Sequence, residues 1–382
     1  MLGPNKSKIR LLAFFTASFL GFFSAMQLSG WHLMKLFGAW GGGRFLDTKQ
    51  VLHWVDCYES IGNAIYSGSG ECSGYIYGSS LISVARFLGI HEYHLMQVGF
   101  LLLLLLSLSL AWILGTASRN RNRKFAGLIL LSPPILLLAE RGNVDALMLF
   151  LLVVSSWAFQ NKKEIIGILL LALACILKFY FFPIFFVYFV YCSKKWIKVF
   201  LTGVAILVLA RIVLDLKLIE SSFPQIWGAQ FGMSVWLRYA EKVGYYPSEI
   251  IIQGTGLFLF VILCVIVKKF YSNELYKSVG SSQKDFYFVV FFGVHLTCFL
   301  LGMSFDYRLV FLLASALFFM ERVSESRKLD VKIFRILTLL SAWLVYQSWV
   351  LQVIGDVATE LLTSILLFPF IKILFTKARL QK

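Results

Sequence analysis

Charged residues are scarce in this sequence, and a long polar stretch that could fold as a soluble domain is missing. Only 15% of the 382 residues are charged, whereas 59% are hydrophobic and 16% are aromatic, and the mean hydropathy is +0.78. An ordinary soluble domain has about 25% charged and about 45–50% apolar residues. The composition therefore excludes a large soluble domain and predicts an all-α, polytopic integral membrane protein.

The sequence also lacks the motifs of soluble nucleotide, metal and hydrolase chemistry. It has no Walker sequence, no zinc-type spacing of Cys and His, and no GxSxG elbow. Acidic residues are few, 20 against 36 Lys and Arg, which gives a formal net charge of +16. The basic excess falls in alternate loops and is explained by membrane topology, so no nucleic-acid partner is predicted. No cofactor is predicted, and the metal requirement stays open.

Apolar runs predict about twelve transmembrane helices, within a range of about 11 to 13. A helix that crosses a hydrocarbon core of about 30 Å needs about 20 mostly apolar residues. Several runs are shorter, which is typical of broken or tilted helices. The basic start and apolar core of the first run also fit a cleaved signal peptide, but an uncleaved first helix is the simpler interpretation. The runs lie at residues 11–30, 95–115, 125–139, 143–159, 165–177, 179–192, 199–217, 250–267, 286–303, 309–320, 333–352 and 361–376.

Lysine and arginine cluster in every other loop between these runs. Clusters precede the first run, follow the second, fourth, sixth, eighth and tenth runs, and close the chain. Because short cytoplasmic loops carry the excess of basic residues, both termini are predicted to be cytoplasmic. The chain, 1–382, is predicted to be one membrane domain with two larger outer segments, 31–94 and 218–249.

Three short outer turns carry polar and ionisable groups close to bilayer depth. The first is AERGNVDA, the second holds Lys178, and the third is Asp306-Tyr307-Arg308. Ionisable groups are costly at that depth and are functional-site candidates by default. Two structural explanations stay open: the first turn caps a helix, and Lys178 extends its ammonium to the interface. The first turn, AERGNVDA, contains Glu140, Arg141, Asn143 and Asp145.

The first outer segment supplies carboxylates on the same side as those turns. Its tryptophans and tyrosines are typical of short helices lying at the headgroup level. An acid in a dry outer cavity can act as a general base, while the cationic residues of the turns neutralise a phosphate leaving group. Cys57 and Cys72 are predicted to pair as a disulfide in an oxidising compartment. The acids of the segment are Asp47, Asp56, Glu59 and Glu71.

Five stretches of the sequence carry a family resemblance through their order. They are FLDTKQVLHWVDCYESIGNAIY, YIYGSSLISVARFLG, GNVDALMLFLL, LKFYFFPIFF and GMSFDYRLVFLL. Together they resemble glycosyltransferase family 87, which belongs to the C-type superfamily of polyprenol-phosphate-sugar-dependent transferases. The resemblance implies a C-type architecture with outer-face loop helices. It also implies transfer of mannose or another hexose from a polyprenyl-phosphate donor to a glycan or glycolipid acceptor at the membrane.

The same resemblance implies roles for individual residues. Asp47, the first acid of the outer segment, is expected to be the general base of an inverting transfer, with Asp56 as the second choice. The departing lipid phosphate is expected to bind three cationic residues, Arg141, Lys178 and Arg308. Asp47 is therefore expected to lie near the outer turns.

Supporting roles are expected for the remaining residues of the turns. Asn143 and Asp145 are expected to hold the floor of the site, and Asp306 is expected to fix Arg308 by an ion pair. Where relatives often have Tyr-Pro-Pro this chain has Tyr77-Gly78-Ser79, so the sugar is not specified. The supporting residues are Glu140, Asn143, Asp145, Asp306, Tyr307 and Tyr77.

The resemblance also implies a location, and two alternative functions stay open. The family is mainly bacterial, which implies the inner membrane with the site facing the periplasm. A transporter or flippase of a lipid-linked or anionic solute would place binding groups near the midplane on broken helices with repeated halves, and no convincing internal repeat occurs here. An O-antigen-type polymerase or ligase would have a large, late outer loop with arginines, where this chain has only 218–249.

Overall fold

The described chain is almost entirely helical. The computed structural model describes residues 6–30, 44–66, 72, 78–117, 122–219, 230–231, 249–270, 282–300, 304–305, 308–323, 328–344 and 349–380. Two residues at 230–231 pair antiparallel with two at 304–305, with Gln230 opposite Phe305. The helices are α1 Lys6–Ser29, α2 Leu46–Ile61, α3 Ser79–Phe87, α4 Leu95–Ala117, α5 Arg123–Leu130, α6 Pro133–Arg141, α7 Asp145–Gln160, α8 Glu164–Leu177, α9 Ile184–Tyr191, α10 Lys195–Ile219, α11 Glu249–Phe270, α12 Gln283–Leu300, α13 Leu309–Val323, α14 Lys328–Trp343 and α15 Trp349–Arg379.

Several helices have the length and composition of membrane spans. Four described segments qualify alone: Leu12–Ser29, Glu92–Ala117, Lys195–Asp215 and Leu351–Arg379. A fifth qualifies if α6 and α7, which meet at a bend of 110°, form one broken span. These are the helices of an all-α membrane protein. The full count of about twelve spans stays a prediction. The described segments Glu164–Leu177 and Phe179–Tyr191 are apolar but shorter than a standard span.

Helix boundaries differ from the sequence prediction at two places. The predicted run 125–139 is divided into α5 and α6 at Leu131 and Ser132, immediately before Pro133 and Pro134. Proline disfavours helical backbone in the residue before it and suits the first helical position. The predicted run 333–352 contains the end of α14, and the last predicted run lies within the 31-residue α15.

The described residues divide into two compact units, and each is considered by itself. The first comprises 1–33, 41–112 and 138–225, and the second comprises 34–40, 113–137 and 226–382. Most of the outer segment 218–249 lies outside the described residues. The polar turn AERGNVDA and the described residues of the first outer segment, 44–66, 72 and 78–94, belong to the first unit.

The first unit is held together by close packing of α7 on α8. The hydroxyl of Ser155 donates to the carbonyl of Gly167 at 2.7 Å and lies 2.7 Å from the hydroxyl of Tyr188. A Cβ on Gly167 would lie 2.8 Å from the carbonyl oxygen of Ser155. Small residues allow membrane helices to approach in this way. The α8 helix also packs against α10 and α3, which fixes the carboxyl end of α8 where Lys178 follows.

The second unit has a core of phenylalanine rings. Helices α12 and α13 pack together, and the rings of Phe288 and Phe319 have centroids 5.0 Å apart. Helix α15 packs against α11, α12 and α14. Between α12 and α15, His295 Nε2 lies 2.9 Å from the hydroxyl of Thr363, so the apolar core also contains a buried polar pair.

Candidate functional site

The start of α2 is built around Phe45. This buried residue has left-handed backbone angles, φ 45° and ψ 51°, which cost a residue with a Cβ about 1–2 kcal/mol. Its N–H donates to Gln27 Oε1 at 3.2 Å. Its ring lies edge-on to Phe100, with centroids 5.3 Å apart, and packs directly over Gly99. These contacts fix the first turn of α2, which carries Asp47.

Asp47 lies in contact with the polar turn that follows α6. Its side chain is 10% exposed, and Oδ1 accepts the Nε–H of Arg141 at 2.6 Å and pairs with the terminal nitrogen of the same guanidinium. Oδ2 accepts a hydrogen bond from Asn143 Nδ2 at 2.5 Å. The hydroxyl of Thr48 donates to the carbonyl of Gly142. Bonds that involve a carboxylate are stronger than neutral ones, so they join α2 firmly to a turn more than ninety residues away.

The turn itself is a helix stop followed by a helix start. Gly142 has φ +57°, its N–H donates to Ala139 O, and the N–H of Asn143 donates to Leu138 O, which is the Schellman pattern. The amide oxygen of Asn143 then accepts the N–H of Asp145 at 2.8 Å. Asn143 therefore has two roles. Its amide oxygen caps the start of α7, and its amide nitrogen donates to Asp47.

Gly142 offers a direct test of this turn. A Cβ there would lie 2.7 Å from both the Phe45 ring and the Thr48 hydroxyl. We expect Gly142→Ala to lower the free energy of unfolding by about 2–5 kcal/mol, because left-handed backbone and overpacking both cost energy. Thermal unfolding in detergent measures the change. Gly89→Ala is the matched control, since Gly89 has φ +63° but open space around it, and an equal loss in both variants would contradict the role of the Phe45 contact.

A second ion pair involves Asp145 of the same turn and is fully buried. Lys178 Nζ donates to Asp145 Oδ1, and their side chains are 2% and 0% exposed. The hydroxyl of Tyr180 donates to the same oxygen at 2.6 Å. Lys178 follows the carboxyl end of α8, so the pair ties α8 to the start of α7. In this arrangement the ammonium neutralises a protein carboxylate.

The other predicted residues are distributed as follows. Glu140 is buried, and its carbonyl accepts a bond from Gln27 Nε2 at 2.6 Å. Arg308 immediately precedes α13 in the second unit, so its part in phosphate binding stays a prediction. Three predicted residues lie outside the described part of the chain: Asp306, Tyr307 and Tyr77.

Asp56 lies on α2 nine residues after Asp47, a rise of about 13 Å along the helix. Its Oδ1 lies 2.8 Å from His91 Nδ1, and Oδ2 accepts the backbone N–H of Glu92 at 3.1 Å. Its side chain is half-exposed. Asp56 therefore belongs to a different polar group, around the residues that precede α4, than Asp47.

The two cysteines of the first outer segment form a disulfide. Cys57 and Cys72 have Cα atoms 5.6 Å apart and are joined by an S–S bond. With His53 they are three groups of metal-ligand type whose ligand atoms all lie within 4.8 Å of one another. Zinc binds cysteine as thiolate, so the sulfurs become ligands only after reduction.

A further polar group, not predicted from the sequence, lies near the end of α10. Asp215 accepts bonds from the backbone N–H and hydroxyl of Ser79 at 3.2 and 2.8 Å and so caps α3. Arg211 donates to Ser79 and Ser80 and pairs with Asp215 at 3.2 Å. Burial and the nearby Asp215 raise the pKa of the Tyr66 phenol well above its usual value. The available signal was an opposite charge pair at i and i+4 inside the apolar run 199–217.

Gly78 allows this capping and can be tested. A Cβ on Gly78 would lie 2.5 Å from Asp215 Oδ2, and its backbone has φ −61°. We expect Gly78→Ala to destabilise the protein by about 1–3 kcal/mol through overpacking, with faster proteolysis of the first outer segment. Gly203→Ala, on the α10 helix that carries Asp215 but with open space around it, should be close to neutral. Wild-type proteolysis of Gly78→Ala would show that α3 does not depend on the cap.

The arrangement around Asp47 provides an anionic acceptor beside a partly exposed cation. A carboxylate has about four lone-pair positions, and Asp47 uses two for Arg141 and one for Asn143. Within the part of the chain that the structure describes, one position on Oδ2 is left for a hydroxyl proton, and the side chain of Arg141 is 25% exposed. Comparisons with models of known protein families, with curated proteins and with solved structures find no match to this chain.

Proposed function

We propose that this protein is an inverting membrane glycosyltransferase that uses a polyprenyl-phosphate sugar as donor. The sugar is mannose or another hexose, and the acceptor is a glycan or glycolipid of the cell envelope. The proposal includes a C-type architecture of about twelve spans, with cytoplasmic termini and a site on the periplasmic side of a bacterial inner membrane. The observation that carries it is the Asp47 carboxylate, held by Arg141 and Asn143 with one acceptor position left.

In the proposed reaction, Asp47 removes the proton from an acceptor hydroxyl. The hydroxyl oxygen attacks the anomeric carbon, a new glycosidic bond forms with inversion, and the bond from that carbon to the phosphate oxygen breaks. Polyprenyl phosphate leaves with the electron pair. General-base catalysis of this kind contributes about 10²–10⁴ in rate.

Arg141 links two events of this reaction, proton removal by Asp47 and departure of the phosphate. Its guanidinium is paired with Asp47, and that attraction falls as the carboxylate gains a proton. The side chain is partly exposed, so it can turn toward the phosphate as negative charge develops there. A charged donor aimed at developing charge is a large source of catalytic stabilisation.

The buried contacts of Lys178 favour a positioning role in this reaction. Binding a phosphate would require the ammonium to leave Asp145, and separating a buried pair is expensive. Held in place, the pair fixes the start of α7 and thereby Asn143, which donates to Asp47. Lys178 thus acts on the base through the turn.

A shallow, open apolar groove offers a place for the lipid part of the proposed donor. It has a volume of about 400 Å³ and is lined by residues of α1 and α4. Phe100 in its wall contacts Phe45, two residues before Asp47. Among those lining the groove, Ser24 is polar and the others are Leu20, Phe100, Leu101 and Leu104.

Transport is the second candidate, and the break between α6 and α7 favours it. The two helices meet at 110° around a turn that bears ionisable groups, and broken helices of this kind bind solutes in secondary transporters. A carrier would use Arg141 as the anion-binding group.

The test is sugar transfer by purified protein reconstituted in liposomes. Radiolabelled mannose, glucose and arabinose are offered as polyprenyl-phosphate donors, with membrane extract as acceptor. We expect label in the acceptor with one of the three donors, and only when the folded protein is present. Folded protein that transfers no label but moves lipid-linked sugar across the liposome membrane would reject the transferase and establish transport.

A further inference from the structure

The Cys57–Cys72 disulfide has two unequal sulfurs. Cys57 lies on the inner face of α2 and is 4% exposed, whereas Cys72 is partly exposed. A thiol–disulfide exchange begins when a thiolate attacks an accessible sulfur and the other sulfur leaves. Access therefore selects Cys72 as the attacked atom and Cys57 as the leaving group.

A histidine stands beside the leaving sulfur. His53 is one helical turn before Cys57, and its Nε2 lies 3.5 Å from Cys57 Sγ. In its protonated form the ring donates this N–H to the sulfur and balances a thiolate charge. Cationic neighbours stabilise thiolates and make cysteines reactive.

A carboxylate supports the other side of the same ring. His53 Nδ1 lies 3.4 Å from Glu92 Oε2, and Glu92 is also 3.8 Å from Lys49 Nζ. The carboxylate is an acceptor for the N–H at Nδ1, so the ring is held with Nε2 on the side of Cys57. The His53 ring thus lies between the Glu92 carboxylate and the sulfur of Cys57.

We propose that Cys57–Cys72 is a thiol–disulfide exchange site whose substrate is an external thiol or dithiol. The incoming thiolate attacks Cys72 Sγ, the S–S bond breaks, and Cys57 leaves as a thiolate beside the His53 imidazolium. A second external thiolate attacks the mixed disulfide at the external sulfur and releases Cys72. The chain gains two electrons and two protons, and the external thiols become a disulfide. This chemistry is independent of the proposed sugar transfer.

Equilibration with glutathione tests the role of His53. Full-length protein in detergent is incubated in defined mixtures of reduced and oxidised glutathione, and free thiols are then alkylated and counted by mass spectrometry. We expect His53→Ala to lower the equilibrium constant for reduction about tenfold, a shift of about 30 mV for a two-electron couple. Glu92→Gln should shift it in the same direction by less.

A matched histidine distinguishes this role from a general loss of structure. His91 lies against Asp56, so His91→Ala should leave the Cys57–Cys72 equilibrium unchanged, and His53→Lys should restore part of the loss by replacing the cation. Equal equilibria for wild type, His53→Ala and Glu92→Gln would overturn the proposal. The Glu92 variant keeps the test valid if His53→Ala fails to fold.

The site of attack is tested separately. Wild-type protein is exposed briefly to reduced glutathione, quenched by alkylation and digested for peptide analysis. Glutathione on Cys72 with an alkylated Cys57 is the expected intermediate. Glutathione on Cys57, or no adduct under conditions that reduce the bond, would contradict the assignment of the leaving sulfur.

Discussion

Replacing Asp47 with asparagine is expected to lower sugar transfer by about 10²–10⁴-fold, because the variant keeps its shape but cannot accept the proton. The substituted amide still offers one oxygen to Arg141, whose side chain is 25% exposed, but its nitrogen cannot accept the hydrogen bond from Asn143 in this buried contact. We therefore expect a loss of stability of about 1–3 kcal/mol, with the fold retained. Initial rates with the active donor measure the first effect, and thermal unfolding in detergent measures the second.

Asp56→Asn is the matched control for this prediction. Asp56 lies on the same helix but contacts His91 and Glu92 instead, so the variant should retain most of its transfer activity. If Asp47→Asn transferred sugar at the wild-type rate, Asp47 would not be the base. If Asp56→Asn alone were inactive, the base would be reassigned to Asp56.

The second large effect is expected for the buried pair. Lys178→Met removes the ammonium and leaves the Asp145 carboxylate, which is 0% exposed, without that charge partner. Removal of one member of a buried pair typically costs about 3–5 kcal/mol. We expect a marked fall in the midpoint of thermal unfolding and in the yield of folded protein.

The double variant Lys178→Met, Asp145→Asn decides whether charge is the cause. Asparagine at 145 retains an oxygen for the Tyr180 hydroxyl, and neutral replacement of both members of a buried pair is often tolerated. Most of the stability should therefore return. A double variant as unstable as Lys178→Met alone would show that the Lys178 side chain acts by packing and not by charge.

The polar turn was recognisable in the sequence and the resemblance placed Asp47 near the outer turns, but the individual contacts were not predictable. Apolar runs on both sides isolate Arg141, Asn143 and Asp145, and their position at a helix junction follows from the glycine between them. That Arg141 binds Asp47, while Asp145 binds Lys178, depends on how α2 and α8 pack. Sequence spacing contains no information on contacts between residues that distant.

Other parts of the fold were harder to predict for definable reasons. Arg211 and Asp215 lie within a strongly apolar helix, and the sequence does not show that both contact Ser79 at the start of α3. The break between α5 and α6 depends on two prolines within an apolar run. Apolar helices suited to crossing a membrane were expected from hydropathy, and this coarser prediction is confirmed.

The double use of Asn143 restricts what evolution can place at that position. Its oxygen accepts the N–H of Asp145 while its nitrogen donates to Asp47, and an amide supplies both polarities at that reach. Aspartate would retain the first bond but repel Asp47, and serine is too short to make both bonds. A new acceptor at position 47 therefore alters one of the two bonds of Asn143, so laboratory evolution toward a new base is expected to select substitutions at both positions.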